Sequence, residues 1–384
     1  MRSRIPLAFH QLAHERRRVL AAIVGVAFAV ILMLMQLGFQ DALLNSAGLH
    51  FSHMSCDLAL VSPQYEFLLA TKGFPERRLY QSLAIDGVAS VEPVYCGQGP
   101  WKNPWTRRER TILMIGFTPR TGYFDLPGVD SKIALLREGD TALFDARARP
   151  EFGAVAPAID GGERVVSEIA GRRVDIVGTF PLGTSFGIDG TVLMSDRTFF
   201  RILPYRTPGV VNVGLIKLKP GYSAEAVRAH LASALPGDVR VLTFAGLVGL
   251  EKTYWSTNTP IGFVFQLGLL IGVLVGCIIV YQILYTDVSD HLQEYATLKA
   301  MGYRDGYLFS VVIEESVILS VLGFVPGFAF SYFLYRFAGA ATLLPLRLSA
   351  PRVGEVYGLT LVMCIISGAL AMRRLRYADP AEIF

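Results

Sequence analysis

Charged residues are scarce in this chain. Asp, Glu, Lys and Arg make up 18% of its 384 residues, while hydrophobic residues make up 52%. Soluble globular domains carry about 25% charge, so the composition favours a protein that places much of its surface in lipid. The formal net charge of +4 is small and spread along the chain, which gives no reason to expect a nucleic-acid partner.

Nucleotide-binding and catalytic motifs are also missing. The chain has no Gly-x-x-x-x-Gly-Lys-(Ser/Thr) loop and therefore no P-loop for ATP. Its six histidines form no His-Glu-x-x-His arrangement, and the pair His50 and His53 is more typical of a helix surface than of a metal site. Ser185 lies outside any Gly-x-Ser-x-Gly elbow. We therefore expect no catalytic residues, no metal and no cofactor in this chain.

Cysteine is equally sparse, with four residues in all. Cys277 and Cys364 lie in apolar runs, where packing is the expected role. Cys56 and Cys96 fall in the long region 41–259, which is expected to lie outside the cytoplasm, where a disulfide is chemically allowed. Their spacing does not decide whether they meet, so a bridge and two free thiols both stay open.

Four apolar runs are long enough to cross a bilayer. They predict transmembrane helices over residues 19–40, 260–285, 307–337 and 355–372. No small-residue cleavage site follows the first run, which favours a retained span over a signal peptide. The arginines that flank the first and last runs are Arg2, Arg4, Arg16, Arg17, Arg18, Arg373, Arg374 and Arg376. The positive-inside rule therefore predicts that both termini are cytoplasmic.

The region between the first two runs, residues 41–259, has no spanning run and holds most of the prolines. Branched or alternating segments bounded by Pro and Gly predict strands; they lie at 58–61, 90–95, 111–116, 174–178, 211–218 and 239–243. Apolar residues at helical spacing predict a helix over 224–235, with Ser223 as its candidate N-cap. A second helix is expected over 247–255. The predicted fold class is an α-helical integral membrane protein with four transmembrane helices and a large extracytoplasmic α+β domain inserted between helices 1 and 2.

The shorter segments complete this topology. A basic amphipathic segment on the cytoplasmic side is expected over 1–18, a cytoplasmic coupling helix and turn over 286–306, a short outer loop over 338–354 and a cytoplasmic tail over 373–384. In the coupling segment, apolar residues recur at steps of three or four from Val288 to Met301, the pattern of an amphipathic helix. Gly302 follows, where helices commonly end in the left-handed conformation. An ordinary interfacial helix would show the same stripe.

Three features stand out within the spans. Gly268, Gly272 and Gly276 recur at four-residue steps, which predicts a close-packing face, with a second copy of the chain as one candidate partner; the alternative is that glycine is simply common in spanning helices. Pro326 predicts a kink in the third span. Glu314 and Glu315 lie near the cytoplasmic start of that span, where a carboxylate rests at headgroup level or pairs with a basic residue such as Arg17 or Arg373.

The run EYATLKAMGYRDGYLFSVVIEESVILSVLG resembles the signature of FtsX-like/MacB-type ABC transporter permeases, and the layout looks closest to the DevC branch. In that family a Glu-x-x-x-Leu-(Lys/Arg)-Ala-(Met/Ile)-Gly run joins the second and third spans. The resemblance implies docking of a separate ABC ATPase there. The matching positions are Glu294, Tyr295, Leu298, Lys299, Met301 and Gly302. We expect Leu298 and Met301 to insert into an apolar cleft of the ATPase, with Glu294 and Lys299 at the rim of the contact. It also implies a structural or coupling role for Glu314 or Glu315, without choosing between them.

The same resemblance implies a bacterial inner-membrane permease that acts as a homodimer in the lipid bilayer. Its further partners would be a periplasmic membrane fusion protein and, where there is an outer membrane, an outer-membrane channel. The cargo would be an amphiphile such as a glycolipid. Two alternatives stay open: an FtsX-like transmitter that controls a periplasmic hydrolase, and a non-ABC membrane receptor. A receptor would need a cytoplasmic effector domain, and a secondary transporter would show more spans and internal repeats.

Overall fold

The structure is a computed structural model that describes residues 16–303 and 305–377. The chain divides into two compact units, Met1–Ala42 with Pro260–Phe384, and Leu43–Thr259. The second unit is called the inserted domain below. The predicted amphipathic segment at 1–18 and the tail at 373–384 lie largely outside the described residues.

Among the described residues, four helices are long and apolar enough to cross a membrane, which confirms the predicted number. They are called spans 1 to 4 and run over Arg16–Ala47, Pro260–Asp290, Asp305–Thr342 and Ala350–Tyr377. Each is longer than the apolar run that predicted it. The hydrocarbon core needs only about 20 residues, so the helices continue through the polar residues at its borders.

Ion pairs join the ends of neighbouring spans. Arg18 at the start of span 1 pairs with Asp290 at the end of span 2. At the other end of span 1, Asp41 accepts a hydrogen bond of 2.8 Å from Nε of Arg352, in the first turn of span 4. Span 1 therefore runs opposite to spans 2 and 4, as an alternating topology requires.

Close contacts and hydrogen bonds hold the spans together, as expected for helices in lipid. Tyr335 of span 3 donates a hydrogen bond of 2.5 Å to the carbonyl oxygen of Leu34 in span 1. Ser367 of span 4 donates one of 3.0 Å to the carbonyl oxygen of Cys277 in span 2. The buried apolar cluster between the helices draws on all four spans.

The inserted domain is built on a nine-stranded sheet of order β11-β1-β10-β3-β4-β8-β5-β7-β6 and a separate two-stranded ribbon of β2 and β9. The strands are β1 Leu58–Val61, β2 Phe74–Pro75, β3 Val88–Lys102, β4 Glu109–Phe117, β5 Thr141–Asp145, β6 Val165–Ile169, β7 Arg172–Phe180, β8 Thr191–Ser195, β9 Val210–Val211, β10 Val213–Leu218 and β11 Arg240–Thr243. The β4–β8 and β5–β7 pairs are parallel. The long strand β3 also pairs with β6 through Trp101 and Ile169, so part of the sheet curls back on itself.

Short helices connect and cover these strands. The α-helices of the domain are α1 Leu49–Ser52, α2 Glu76–Gln81, α3 Val129–Lys132, α4 Val155–Asp160, α5 Asp196–Ile202, α6 Ala224–Ala234 and α7 Phe244–Thr257. Single 3-10 turns lie at Leu68–Ala70, Ser82–Ala84, Ile133–Arg137 and Pro150–Phe152. Ser223 precedes α6 as predicted, but its side chain makes no capping hydrogen bond.

Both faces of the sheet are buried. Along β4, Ile112 and Met114 belong to one apolar cluster, while Leu113 and Ile115 belong to another. Successive side chains of a strand point to opposite faces, so continuous apolar runs supply two cores. This is why β5 and β8, which are buried along their whole length, show no alternation in the sequence and were not predicted.

Candidate functional site

The connection between spans 2 and 3 is one short helix, Leu292–Ala300, called the connecting helix. It is separated from span 2 by a turn at His291, whose Nδ1 lies 3.1 Å from the carbonyl oxygen of Asp287. Val288 therefore belongs to span 2, where it is buried. The expectation of a single apolar stripe from Val288 to Met301 on one helix is wrong, because the chain turns between them.

Gly302 ends the connecting helix in the left-handed conformation, with φ of 91°. The amide of Tyr303 donates to the carbonyl oxygen of Leu298 at 3.1 Å, and the amide of Met301 donates to that of Thr297 at 3.0 Å. These bonds satisfy carbonyl groups that the last helical turn would otherwise leave unpaired. Glycine adopts this conformation without the steric penalty of a Cβ.

The two apolar residues predicted to enter an ATPase have different surroundings. Leu298 is half-buried and packs against a small cluster of Val288, Val312 and Met372, which belong to spans 2, 3 and 4. Met301 is 64% exposed. Leu298 thus packs within the bundle, and Met301 is exposed; the predicted contact of either residue with an ATPase stays a prediction. Glu294 is exposed.

The side chains of Tyr295 and Lys299 lie outside the described part of the chain. Their predicted roles, with Lys299 beside Glu294 at the rim of the contact, stay predictions.

Glu314 and Glu315, which the sequence could not separate, differ sharply in burial. Glu314 is exposed, whereas Glu315 is 1% exposed. Within the described residues, neither carboxylate oxygen of Glu315 has a hydrogen-bond partner, so the expected pairing with Arg17 is not formed. The side chain of Arg373 is not among those residues. A buried carboxyl group without partners is costly, which makes Glu315 the candidate functional position of the two.

The three glycines of span 2 do form a packing face, but within the chain. A Cβ at Gly268 would collide with the amide of Gln36, and one at Gly272 would lie 3.6 Å from Cβ of Leu32. A Cβ at Gly276 would lie 2.8 Å from Cβ of Ala29. Span 1 therefore faces all three glycines, and Met363 of span 4 also contacts the Gly276 position. Contact of this face with a second copy of the chain stays a prediction.

Pro326 lies inside the continuous helix of span 3. A Cβ on the next residue, Gly327, would lie 2.9 Å from the carbonyl oxygen of Ala27 in span 1. Span 3 therefore approaches the backbone of span 1 closely beside the proline. The kink itself stays a prediction.

The inserted domain contains a buried polar pair that the sequence did not reveal. Tyr65 donates a hydrogen bond of 2.6 Å to the carboxylate of Glu251 on α7, and Glu251 is 1% exposed. Burial raises the pKa of Glu251 to about 7, although the hydrogen bond from Tyr65 acts in the opposite direction. Tyr65 also lines a cavity of about 510 Å³. Because the two residues are 186 positions apart, no local pattern could have predicted the contact.

Cys56 and Cys96 are free thiols in this domain, and the strand register explains why they do not meet. Leu58 lies opposite Ile216, which lies opposite Val91 on β3. Cys96 is thus two strands away from β1, about 10 Å, and five residues further along β3. Disulfides need Cα atoms within about 7 Å. Burial raises the pKa of each thiol to about 12, which keeps both protonated.

The histidines beyond span 1 also have structural partners. His50 is buried, with Nε2 2.9 Å from the hydroxyl of Thr191, and burial lowers its pKa to about 3. Nδ1 of His53 lies 3.0 Å from the carbonyl oxygen of Asp125. Each ring therefore faces its own partner rather than a shared site.

Two family models match the sequence. The model of the MacB-like periplasmic core domain matches residues 19–234, more than half of the chain, and that of the FtsX-like permease C-terminal domain matches residues 266–380. Among curated proteins, none matches the chain in sequence.

Three solved structures resemble part of the fold. The periplasmic region of MacB from Actinobacillus actinomycetemcomitans is 8% identical, with a TM-score of 0.36, over 50% of this chain and 91% of that one. The extracellular domain of the noncanonic ABC-type transporter YknZ from Gram-positive bacteria is 13% identical, with a TM-score of 0.33, over 49% of this chain and 98% of that one. A domain of a permease protein from Porphyromonas gingivalis is 16% identical, with a TM-score of 0.31, over 50% of this chain and 90% of that one.

Proposed function

The chain belongs to the family of FtsX-like permeases with a MacB-like periplasmic core domain, and we propose that it is the membrane subunit of an ABC-type exporter driven by a separate ATPase chain. The cargo would be an amphiphile such as a glycolipid, handed to a periplasmic membrane fusion protein and, where present, an outer-membrane channel. The permease would act as a homodimer in the inner membrane, with both termini cytoplasmic.

The packing of the connecting helix is the observation that carries this proposal. Leu298 contacts a cluster contributed by spans 2, 3 and 4, while Met301, the first residue after the same helix, is 64% exposed. A force applied at Met301 would therefore reach three spans through one packed side chain. Packed interiors transmit displacement because their side chains have little free volume.

In this mechanism the ATPase binds Met301 in an apolar cleft, with Glu294 and Lys299 at the rim. Closure of the ATPase dimer upon ATP binding would shift the connecting helix and pull on spans 2 and 3. Two residues, Asn258 and Thr259, separate span 2 from α7 of the inserted domain. The movement would thus pass along the chain into the inserted domain, which would act as a lever on the membrane fusion protein.

Glu315 supports the same role. A carboxyl group without hydrogen-bond partners among the described residues destabilises the arrangement in which it is buried. A second arrangement of spans 2 to 4, in which this group meets water or a basic residue, would then be close in free energy. Such a small difference is what an ATP-driven two-state movement requires.

Affinity purification of the tagged full chain in mild detergent tests this proposal. We expect a P-loop ATPase to co-purify with the wild type and with Leu135→Asp, a control at a 40% exposed leucine of the inserted domain. Met301→Asp should release the ATPase without loss of folded permease, since burying an unpaired carboxylate in an apolar cleft costs several kcal/mol.

The co-purifying proteins also separate the proposal from its alternatives. A membrane fusion protein in the eluate supports export, whereas a periplasmic hydrolase in its place would indicate a force transmitter. Retention of the ATPase by Met301→Asp would refute the docking geometry. No nucleotide-binding chain in any detergent would overturn the ABC assignment.

A further inference from the structure

A small cavity in the inserted domain contains a guanidinium group that has no carboxylate partner among the described residues. The cavity has a volume of about 200 Å³ and lies where β3, the end of α5 and the β2–β9 ribbon come together. Its walls are largely aromatic and include Tyr95, Phe199, Phe200 and Tyr205, and Arg206 is its charged group. No acidic side chain is among the described residues that line it.

The hydrogen bonds of Arg206 are incomplete. Nη2 donates to the carbonyl oxygen of Cys96 at 3.2 Å, whereas Nε is buried and has no acceptor in the described residues. The guanidinium carbon lies 5.9 Å from the ring centre of Tyr205, which favours a cation but accepts no strong hydrogen bond. Buried donors are satisfied in the great majority of cases, so the hydrogen bonding of Arg206 is incomplete within the fold. The side chain as a whole is half-buried and lines the cavity, so its cavity-facing N–H groups are the donors offered to a ligand.

The side chain of Asn212, which also lines the cavity, is already occupied by other partners. Asn212 accepts a hydrogen bond from the amide of Cys96 at 2.9 Å and donates one to the hydroxyl of Thr71 at 2.7 Å. Glu76 and Asp196 act on the hydroxyl of Tyr95, whose pKa burial and these carboxylates raise. An anion is therefore repelled at the Tyr95 end and attracted at the Arg206 end.

We propose that this cavity binds a carboxylate carried on a short aromatic or apolar group, with the carboxylate on Arg206 and the apolar part against Tyr95 and Phe200. Arginine pairs with carboxylates through parallel N–H···O bonds. The volume is below the 300–1,000 Å³ usual for drug-sized ligands, so it suits a small aromatic acid or the terminal residue of a protein chain. The site goes beyond the proposed function and does not depend on it.

Ligand-observed saturation-transfer NMR on the full chain in lipid nanodiscs tests the site. The probes are phenylacetate and the tripeptide Gly-Gly-Phe, each beside its neutral amide. We expect saturable binding of at least one acid, no binding of the matching amide, and at least a tenfold loss of affinity in Arg206→Gln. Arg197→Gln, which removes an exposed arginine from α5, is the matched control and should bind like the wild type.

A second variant keeps the result clear if Arg206→Gln is unstable. Val210 is 40% exposed and lines the cavity, so Val210→Phe should fill it and abolish binding while Arg206 stays in place. Tighter binding of Gly-Gly-Phe identifies a protein terminus as the source of the carboxylate, and tighter binding of phenylacetate identifies a small acid. Equal binding of acid and amide, or binding unchanged in both variants, would refute the carboxylate site and leave water as the hydrogen-bond partner of Arg206.

Discussion

The hydroxyl of Tyr65 donates a 2.6 Å hydrogen bond to the carboxylate of Glu251, and both side chains are buried in the inserted domain. Glu251 lies on α7, the last helix before span 2. Any shift of this helix relative to the sheet would separate the pair. A titratable group therefore lies on the segment that, in the proposed mechanism, carries movement out of the membrane.

The stability of the inserted domain should depend on the protonation of Glu251. Its folded pKa of about 7 lies above the ordinary value of 4.5, so the folded state holds a proton that the unfolded state releases. Stability from this group is complete below about pH 4.5 and is lost as pH rises through about 7. We expect Glu251→Gln to match the wild type at pH 5 and to be more stable at pH 8 by on the order of 3 kcal/mol.

Urea unfolding of the full chain in detergent measures this difference. Trp101, Trp105 and Trp255 are the three tryptophans and all lie in the inserted domain, so their fluorescence reports on it alone. Glu92, whose pKa burial also raises to about 7, contributes equally to both proteins. Glu163→Gln, at an exposed position, is the control. A difference between variant and wild type that is the same at pH 5 and pH 8 would contradict the prediction.

Replacement of Glu315 should stabilise the bundle. Glu315→Leu removes a buried carboxyl group that has no hydrogen-bond partner in the described residues, and an unsatisfied buried polar group costs about 1–3 kcal/mol. Thermal unfolding in detergent, followed by size exclusion, should show a higher midpoint. Glu314→Leu, at the exposed neighbour, should show no comparable gain. A lower midpoint for Glu315→Leu would mean that the carboxyl group is paired in the membrane.

The glycine face of span 2 should tolerate no side chain. Gly276→Val places a Cβ 2.8 Å from Cβ of Ala29, and overpacking of this kind costs about 1–3 kcal/mol. Gly358→Val in span 4 is the matched control, because a Cβ there meets nothing within 4 Å. The thermal midpoint of the first variant should fall and that of the second should not. Equal midpoints would show that span 1 does not pack on Gly276.

The left-handed end of the connecting helix should require glycine. Gly302→Ala forces a Cβ into a backbone with φ of 91°, at a cost of about 1–2 kcal/mol. Hydrogen exchange of the amides over 292–303 should become faster. Gly306→Ala, in span 3 with open space around it, should leave exchange unchanged, and the same rate increase in both variants would argue against a specific cap.

All four cysteines should react as thiols once the chain is unfolded. The register places Cys56 and Cys96 about 10 Å or more apart, so no bridge forms even in an oxidising compartment. Denaturation without reductant, followed by a polyethylene-glycol maleimide, should add four labels. Two labels that rise to four after reduction would show a disulfide and a different register.

The amino-acid sequence determined the features that depend on local pattern. The length of the apolar runs predicted four spans, and Gly302 predicted the end of the connecting helix, because hydrocarbon thickness and backbone sterics act on neighbouring residues. Strands such as β1 were found through branched residues bounded by turn formers. β5 and β8 were missed, since strands buried on both faces lack alternation.

The tertiary structure decided what depends on distant residues. It buries Glu315 but not Glu314, and it packs Leu298 against the other spans. It also places span 1 against the glycine face of span 2 and separates Cys56 from Cys96. Tyr65 with Glu251, and the incomplete Arg206, had no signal in the sequence at all. Burial and pairing are set by how the chain folds back on itself, so the same residue type at adjacent positions, as at Glu314 and Glu315, acquires opposite surroundings.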